Sequence, residues 1–137
     1  MIEITNLTKT KIDTKFLQKA AQAAFAVLRA EKDVSLVFIG DAKIKTLNKK
    51  YRAKNKTTDV LSFEELNEIF VCVPQAKRQA KVLKTGLKPE LTRLLVHGIV
   101  HLAGFDHEKS VREELRMFGV EKNILDKINK NKTKKGF

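Results

Sequence analysis

All three histidines of this 137-residue chain fall in one stretch, His97-Gly98-Ile99-Val100-His101-Leu102-Ala103-Gly104-Phe105-Asp106-His107. If the segment is helical as far as Ala103, the four-residue step puts His97 and His101 on one face, a turn apart. That is the bite two imidazoles need to share one ion. Gly104 stands where the helix would end, because glycine takes the left-handed terminal conformation without steric cost. The turn through Phe105 and Asp106 then brings His107 back to the first two. Three neutral imidazoles suit zinc, with the fourth tetrahedral position left for water, whereas closed structural sites use four protein ligands. The single cysteine, Cys72, lies in an apolar strand-like run and offers no fourth ligand. Nickel, copper and iron are also compatible with three imidazoles. A purely structural role would require a separate buried partner for each of the three rings.

The same spacing occurs in the metallopeptidase pattern H-E-x-x-H-x-x-G-x-x-H, which the stretch meets at every fixed position except Gly98. Those peptidases carry their general-base glutamate there. Without it, activation of a bound water rests on the metal, which lowers the water's pKa to about 7, or on Asp106, Glu108 or the substrate.

The elements that must hold these residues are legible in the apolar pattern. Ile2 and Ile4 alternate with polar neighbours and predict a short first strand. Asp13 suits the N-cap of an amphipathic helix from about Thr14 to Arg29. Ser35 to Ile39 reads as a second strand ended by Gly40, with Asp41 capping a helix to about Tyr51. Val60 to Phe63 and Ile69 to Val73 read as two further strands, the latter apolar without alternation and so covered on both faces. Pro74 suits the first turn of another helix. Gly86 and Pro89 precede the histidine helix, whose Leu91, Leu94, Leu95, Ile99 and Leu102 supply a packing surface. Ser110 to about Ile128 predicts a last helix with Val111, Leu115, Phe118, Ile124, Leu125 and Ile128 toward the core. No repeat or linker divides the chain, so one domain over 1–128 is expected, followed by a basic, disordered tail over 129–137.

A 42% hydrophobic and 32% charged composition is that of a globular protein. One cysteine permits no internal disulfide, and no apolar run approaches the ~18 residues of a membrane span. The polar N-terminus does not read as a signal peptide, and the expected location is the cytoplasm. The formal net charge of +12 and a pI near 9.9 point to a polyanionic partner. The charge is also patterned. Lys43, Lys45, Lys49, Lys50, Arg52, Lys54 and Lys56 fall between Ala42 and Thr58 with no acidic residue among them, and Lys77, Arg78, Lys81, Lys84 and Lys88 fall in a second acid-free segment. A charge run is ordinarily a solvated face, but two acid-free runs in one small domain suggest a positive channel for nucleic acid.

Three segments, Asn48-Lys49-Lys50-Tyr51-Arg52-Ala53-Lys54, Thr58-Asp59-Val60-Leu61-Ser62-Phe63 and Glu90 to Glu108, together resemble the YbeY family of bacterial endoribonucleases and ribosomal RNA maturation factors. The similarity runs from about Val34 to Leu125. It implies an α/β fold, a mixed four-stranded sheet surrounded by about five helices, with the metal site on a helix and the turn that follows it. It further implies that His97, His101 and His107 bind zinc and that Arg52 is the functional arginine of the cleft. The chain departs from the family pattern at Asn55, usually aspartate, and at Thr57, usually proline. Asn67-Glu68 replaces a Gly-Asp or Gly-Glu pair, and Phe63 lacks its customary following proline. These positions shape the loops beside the cleft and leave the histidines and Arg52 untouched.

The reading that follows is a zinc-dependent, single-strand-specific endoribonuclease of 16S ribosomal RNA maturation and small-subunit quality control. His97 and Arg52 are its catalytic candidates, and Lys49, Lys50, Arg52, Lys54, Lys77, Lys81 and Lys84 its RNA contacts. The resemblance implies precursor ribosomal RNA, the small ribosomal subunit and an assembly GTPase as partners. A non-catalytic, zinc-stabilised RNA-binding assembly factor is the alternative. A peptidase, suggested by histidine spacing alone, is opposed by Gly98.

Overall fold

Parallel strands need a crossover between them, and this chain supplies a helix after each of its first two apolar runs. The computed structural model describes residues 1–105 and 109–135, with side chains through residue 130. Strands β1 (Ile2–Asn6), β2 (Val34–Ile39), β3 (Val60–Phe63) and β4 (Glu68–Cys72) form one sheet in the order β1-β2-β4-β3. β2 runs parallel to both β1 and β4, with Ile2 opposite Val34 and Leu36 opposite Ile69. β3 is antiparallel to β4 at the edge, placing Ser62 opposite Ile69 and Phe63 opposite Glu68. The described residues hold five α-helices, α1 (Thr14–Leu28), α2 (Asp41–Arg52), α3 (Val73–Leu83), α4 (Leu87–Leu102) and α5 (Val111–Lys135), and one short 3-10 turn at Glu64–Leu66. The mixed α/β sheet with five helices is the fold expected from the sequence.

The core lies on both sides of the sheet. Val34, Leu36, Phe38, Ile69 and Val71 pack with α1, α4 and α5, while Ile39, Leu61 and Cys72 pack with Ile44 of α2. β2 and β4 are therefore covered on both faces, which is why their sequences do not alternate. Asp13 caps α1 as expected, its Oδ1 accepting from Phe16 N at 3.1 Å. Its Oδ2 also accepts from Lys88 Nζ at 3.0 Å, tying the start of α1 to the start of α4.

Three details differ from the sequence expectation. Gly40, not Asp41, is the N-cap of α2. The Asp41 carboxylate instead accepts two bonds from Arg78, at 2.7 and 3.1 Å, and one from the Cys72 thiol at 3.3 Å. Burial pushes that thiol up to about 11, so at neutral pH it is an inert core group. On α5, Val111, Leu115 and Phe118 are 71%, 66% and 64% exposed, contrary to their expected place in the core. Met117, Ile124 and Ile128 are the buried residues. Neighbouring helical residues point about 100° apart, so a stripe through Met117 turns Leu115 and Phe118 outward. Finally, α5 continues to Lys135, beyond Ile128 where its apolar pattern stops.

Candidate active site at the end of β3

Helix α4 is fixed at both ends. Near its start Glu90, only 2% exposed, accepts from Arg93 Nε at 2.9 Å and Nη2 at 2.6 Å, and from Gln79 Nε2 of α3 at 2.6 Å. Gln79 Nε2 also reaches Asp59 Oδ2, just before β3, at 3.3 Å. Burial alone would raise the Glu90 pKa, but the bonds from Arg93 and Gln79 outweigh it and hold the carboxyl below its usual range. At the other end Lys32 Nζ donates to Leu102 O at 2.9 Å, and Gly104 takes a φ of +100°. Midway, Gly98 faces the sheet so closely that a Cβ there would lie 2.9 Å from both Cδ1 and Cγ2 of Ile69. The position that holds the peptidase glutamate is here a contact between helix and sheet, and any larger side chain would require Ile69 to shift.

The rigid helix presents His97 and His101 one turn apart. His97 Nδ1 lies 2.6 Å from Glu121 Oε1 on α5. A carboxylate at Nδ1 favours the tautomer protonated there, which makes Nε2 the ring nitrogen able to coordinate an ion. His101 Nε2 faces Glu64 Oε1 at 3.9 Å, while its Nδ1 is buried and has no hydrogen-bond partner among the described residues. An orphaned imidazole nitrogen beside a carboxylate-oriented imidazole fits a metal-binding pair. His107, the third expected ligand, lies outside the described residues, as do Asp106 and Glu108. Among the described residues no group of three His, Cys, Asp or Glu side chains is placed to hold a metal ion.

Arg52 ends α2, and Ala53, with a φ of 58°, turns the chain away immediately after it. The Arg52 guanidinium donates from Nη2 to Ser62 O at 2.8 Å and lies 5.5 Å from the centre of the Phe63 ring. Next in sequence is Glu64, which faces His101. Three consecutive residues, Ser62, Phe63 and Glu64, thus bring the arginine and the histidine helix to one place. Asn48, 3% exposed, closes the intervening loop by donating from Nδ2 to Lys56 O at 2.9 Å. Asn67, one of the departures from the family pattern, adopts a φ of 50°. Asparagine tolerates this conformation better than most residues, so it can take the place of the customary glycine.

The basic residues do not all gather here. Lys49, Lys50 and Lys54 are exposed around Arg52. In the second segment Lys77 donates to Thr10 at 2.9 Å, Arg78 pairs with Asp41 and Lys88 with Asp13, leaving Lys81 and Lys84 as exposed cations. Asp41 follows the C-terminal ends of β2 and β4, whereas Phe63 pairs with the first residue of β4. The Arg52 end of the first basic segment therefore sits toward the opposite end of the sheet from Arg78, whereas Lys43 and Lys45 begin α2 beside Asp41. A separate cleft of about 920 Å³ between β1 and α1 holds none of the predicted site residues. Glu121 and Glu64 were not anticipated from sequence. A surface-type glutamate carries no local signal of which imidazole it will meet.

No helix among the described residues is long and apolar enough to cross a membrane. The family described as Endoribonuclease YbeY matches residues 3–129. Among relatives, the Endoribonuclease YbeY of Aquifex aeolicus is 39% identical, with 93% of this chain and 91% of that protein covered. The Endoribonuclease YbeY of Phytoplasma australiense is 37% identical over 97% of this chain and 99% of its own. The solution structure of TM1509 from Thermotoga maritima superposes with a TM-score of 0.71 at 26% identity, covering 98% of this chain and 93% of that one. With the family match spanning nearly the whole fold, the chain belongs to the Endoribonuclease YbeY family.

Proposed function

We propose that this protein is a metal-dependent endoribonuclease that cuts single-stranded RNA during ribosomal RNA processing, with precursor 16S RNA on the small ribosomal subunit as its substrate. Its relatives are named endoribonucleases, which supports RNA cleavage as the activity. The observation that carries the reading is the meeting of Arg52 with His101 across Ser62, Phe63 and Glu64.

Arg52 is held by one nitrogen on Ser62 O and keeps further donors for a phosphate. A guanidinium is charged at every working pH and matches phosphate with paired donors, so it stabilises the charge that builds on phosphorus during displacement. Glu121 orients His97, and the Glu90 clamp and Lys32 keep α4 from shifting. His97, His101 and His107 would hold the metal, zinc being the expected ion, which when bound supplies Lewis acidity toward a phosphate oxygen. Lys49, Lys50 and Lys54 hold the RNA backbone. A cytoplasmic location, a part in small-subunit quality control and an assembly GTPase as partner belong to the same reading.

Cleavage of a labelled single-stranded RNA by wild type and Arg52→Ala, with bound metal quantified in each, tests it. The expected result is one metal in both and a loss of about 10²-fold or more in cleavage by the variant. Equal cleavage by both would remove Arg52 from the chemistry. Metal without any cleavage in the wild type would favour the non-catalytic assembly factor.

A further inference from the structure

Tyr51 shares the helical stripe of Ile44 and Asn48 on α2, yet it is 55% exposed while those two are buried. Its ring is nevertheless held firmly. It meets Phe63 edge to face, with centroids 5.2 Å apart and planes at 69°. Phe63 in turn meets Phe70 at 5.8 Å and 77°, carrying the contact into β4. Cations lie over both rings of this row, Lys50 Nζ 5.2 Å from the centre of Tyr51 and the Arg52 guanidinium 5.5 Å from that of Phe63, and the flexible lysine can swing off the tyrosine face to make way for a base. A half-exposed aromatic ring packed on a second ring and set among cations is the combination by which proteins grip single strands without reading sequence.

We propose that Tyr51, backed by Phe63, is the base-stacking platform of the site. It receives the base of a nucleotide adjoining the phosphate held by Arg52. The position follows from the chain itself, since Phe63 lies between Ser62, which accepts from Arg52, and Glu64, which faces His101. Stacking explains tolerance of sequence together with preference for single strands, because a paired base cannot offer its face. The proposal rests on RNA being the substrate.

Tyr51 is the only tyrosine of the chain, and there is no tryptophan. Tyrosine emission, excited at wavelengths that phenylalanine does not absorb, therefore reports this residue alone. The protein is titrated, without any need for cleavage, with oligouridylate and with an abasic ribose-phosphate oligomer of equal length and charge. Quenching of Tyr51 emission by oligouridylate, and little by the abasic oligomer, is expected. Affinity for oligouridylate should fall about 5- to 150-fold in Tyr51→Ala, the range for one lost stack. It should be kept in Tyr51→Phe. Tyr51→Leu, which still covers Phe63, should bind as weakly as Tyr51→Ala, with thermal melts confirming that each variant folds. Equal affinity for both oligomers, unchanged emission, or wild-type binding by Tyr51→Leu would each overturn the platform while leaving the nuclease reading intact. Failure to bind either oligomer would remove both.

Discussion

At the scale of single residues, the imidazole of His97 depends on a partner twenty-four positions away, Glu121, whose oxygen lies 2.6 Å from Nδ1. Carboxylates in this position fix the ring and raise its basicity, and their loss costs metal-binding proteins about 10- to 100-fold in affinity. On the proposed zinc site, Glu121→Ala should therefore weaken metal binding by that factor in a chelator competition, with the fold unchanged by circular dichroism. Glu121→Gln, which retains an acceptor oxygen, should fall between the variant and the wild type. A variant that holds zinc as tightly as wild type would show that the contact is merely a surface hydrogen bond. The placing of His97 and His101 a turn apart on α4 was legible because their spacing is local, but Glu121 became visible only when α5 crossed α4. The same holds for Glu64, whose role depends on where an edge strand ends.

At the scale of elements, the contact between α4 and β4 sets what Gly98 can become. Ile69 is fully buried, and its two branches leave it little rotamer freedom to yield to a new methyl group. Overpacking of this kind costs about 1–3 kcal/mol, against a gain of about 1 kcal/mol from replacing glycine by alanine inside a helix. Gly98→Ala should thus lower stability by up to about 2 kcal/mol in the wild-type background, and raise it once Ile69→Ala has removed the obstacle, as denaturant titrations would reveal. The same sign in both backgrounds would mean that the helix, not the side chain, moves aside. The second device on α4 is pH-dependent. Because the folded Glu90 carboxyl lies below its ordinary value, its stabilisation is complete above about pH 4.5 and is lost as pH falls through the depressed value. Glu90→Gln should cost about 1–3 kcal/mol at neutral pH. The gap from wild type should close on acidification; a gap constant from neutral pH to pH 2 would deny Glu90 its charge in the fold. Most element boundaries could be read in advance, since caps and breakers such as Asp13, Pro74 and Gly104 act locally. The exposed face of α5 could not. Val111, Leu115 and Phe118 form a genuine apolar stripe, and periodicity reveals a stripe without revealing whether another element covers it.

At the scale of the whole molecule, a net charge of +12 ensures attraction to RNA, but the placement of that charge decides what each lysine contributes. Asp41, to which Arg78 binds α3, and Arg52 stand at opposite ends of α2, roughly 16 Å apart along the helix axis. An oligonucleotide only a few residues long, seated on Arg52, reaches Lys49, Lys50 and Lys54 but not Lys81 and Lys84. Each lysine that neutralises a phosphate of a single strand contributes about 0.7 to the slope of log affinity against log salt. For such a short oligomer, replacing Lys49, Lys50 and Lys54 together by alanine should reduce the slope by about 2, whereas replacing Lys81 and Lys84 should leave it unchanged. A longer RNA that passes around the edge of the sheet should lose slope with either set. If the short oligomer responds equally to both sets, RNA enters from the α3 side and the route past Tyr51 is wrong. If only the Lys81 and Lys84 pair matters at every length, the basic run on α2 is a solvated face, and the positive surface that steers RNA belongs to α3.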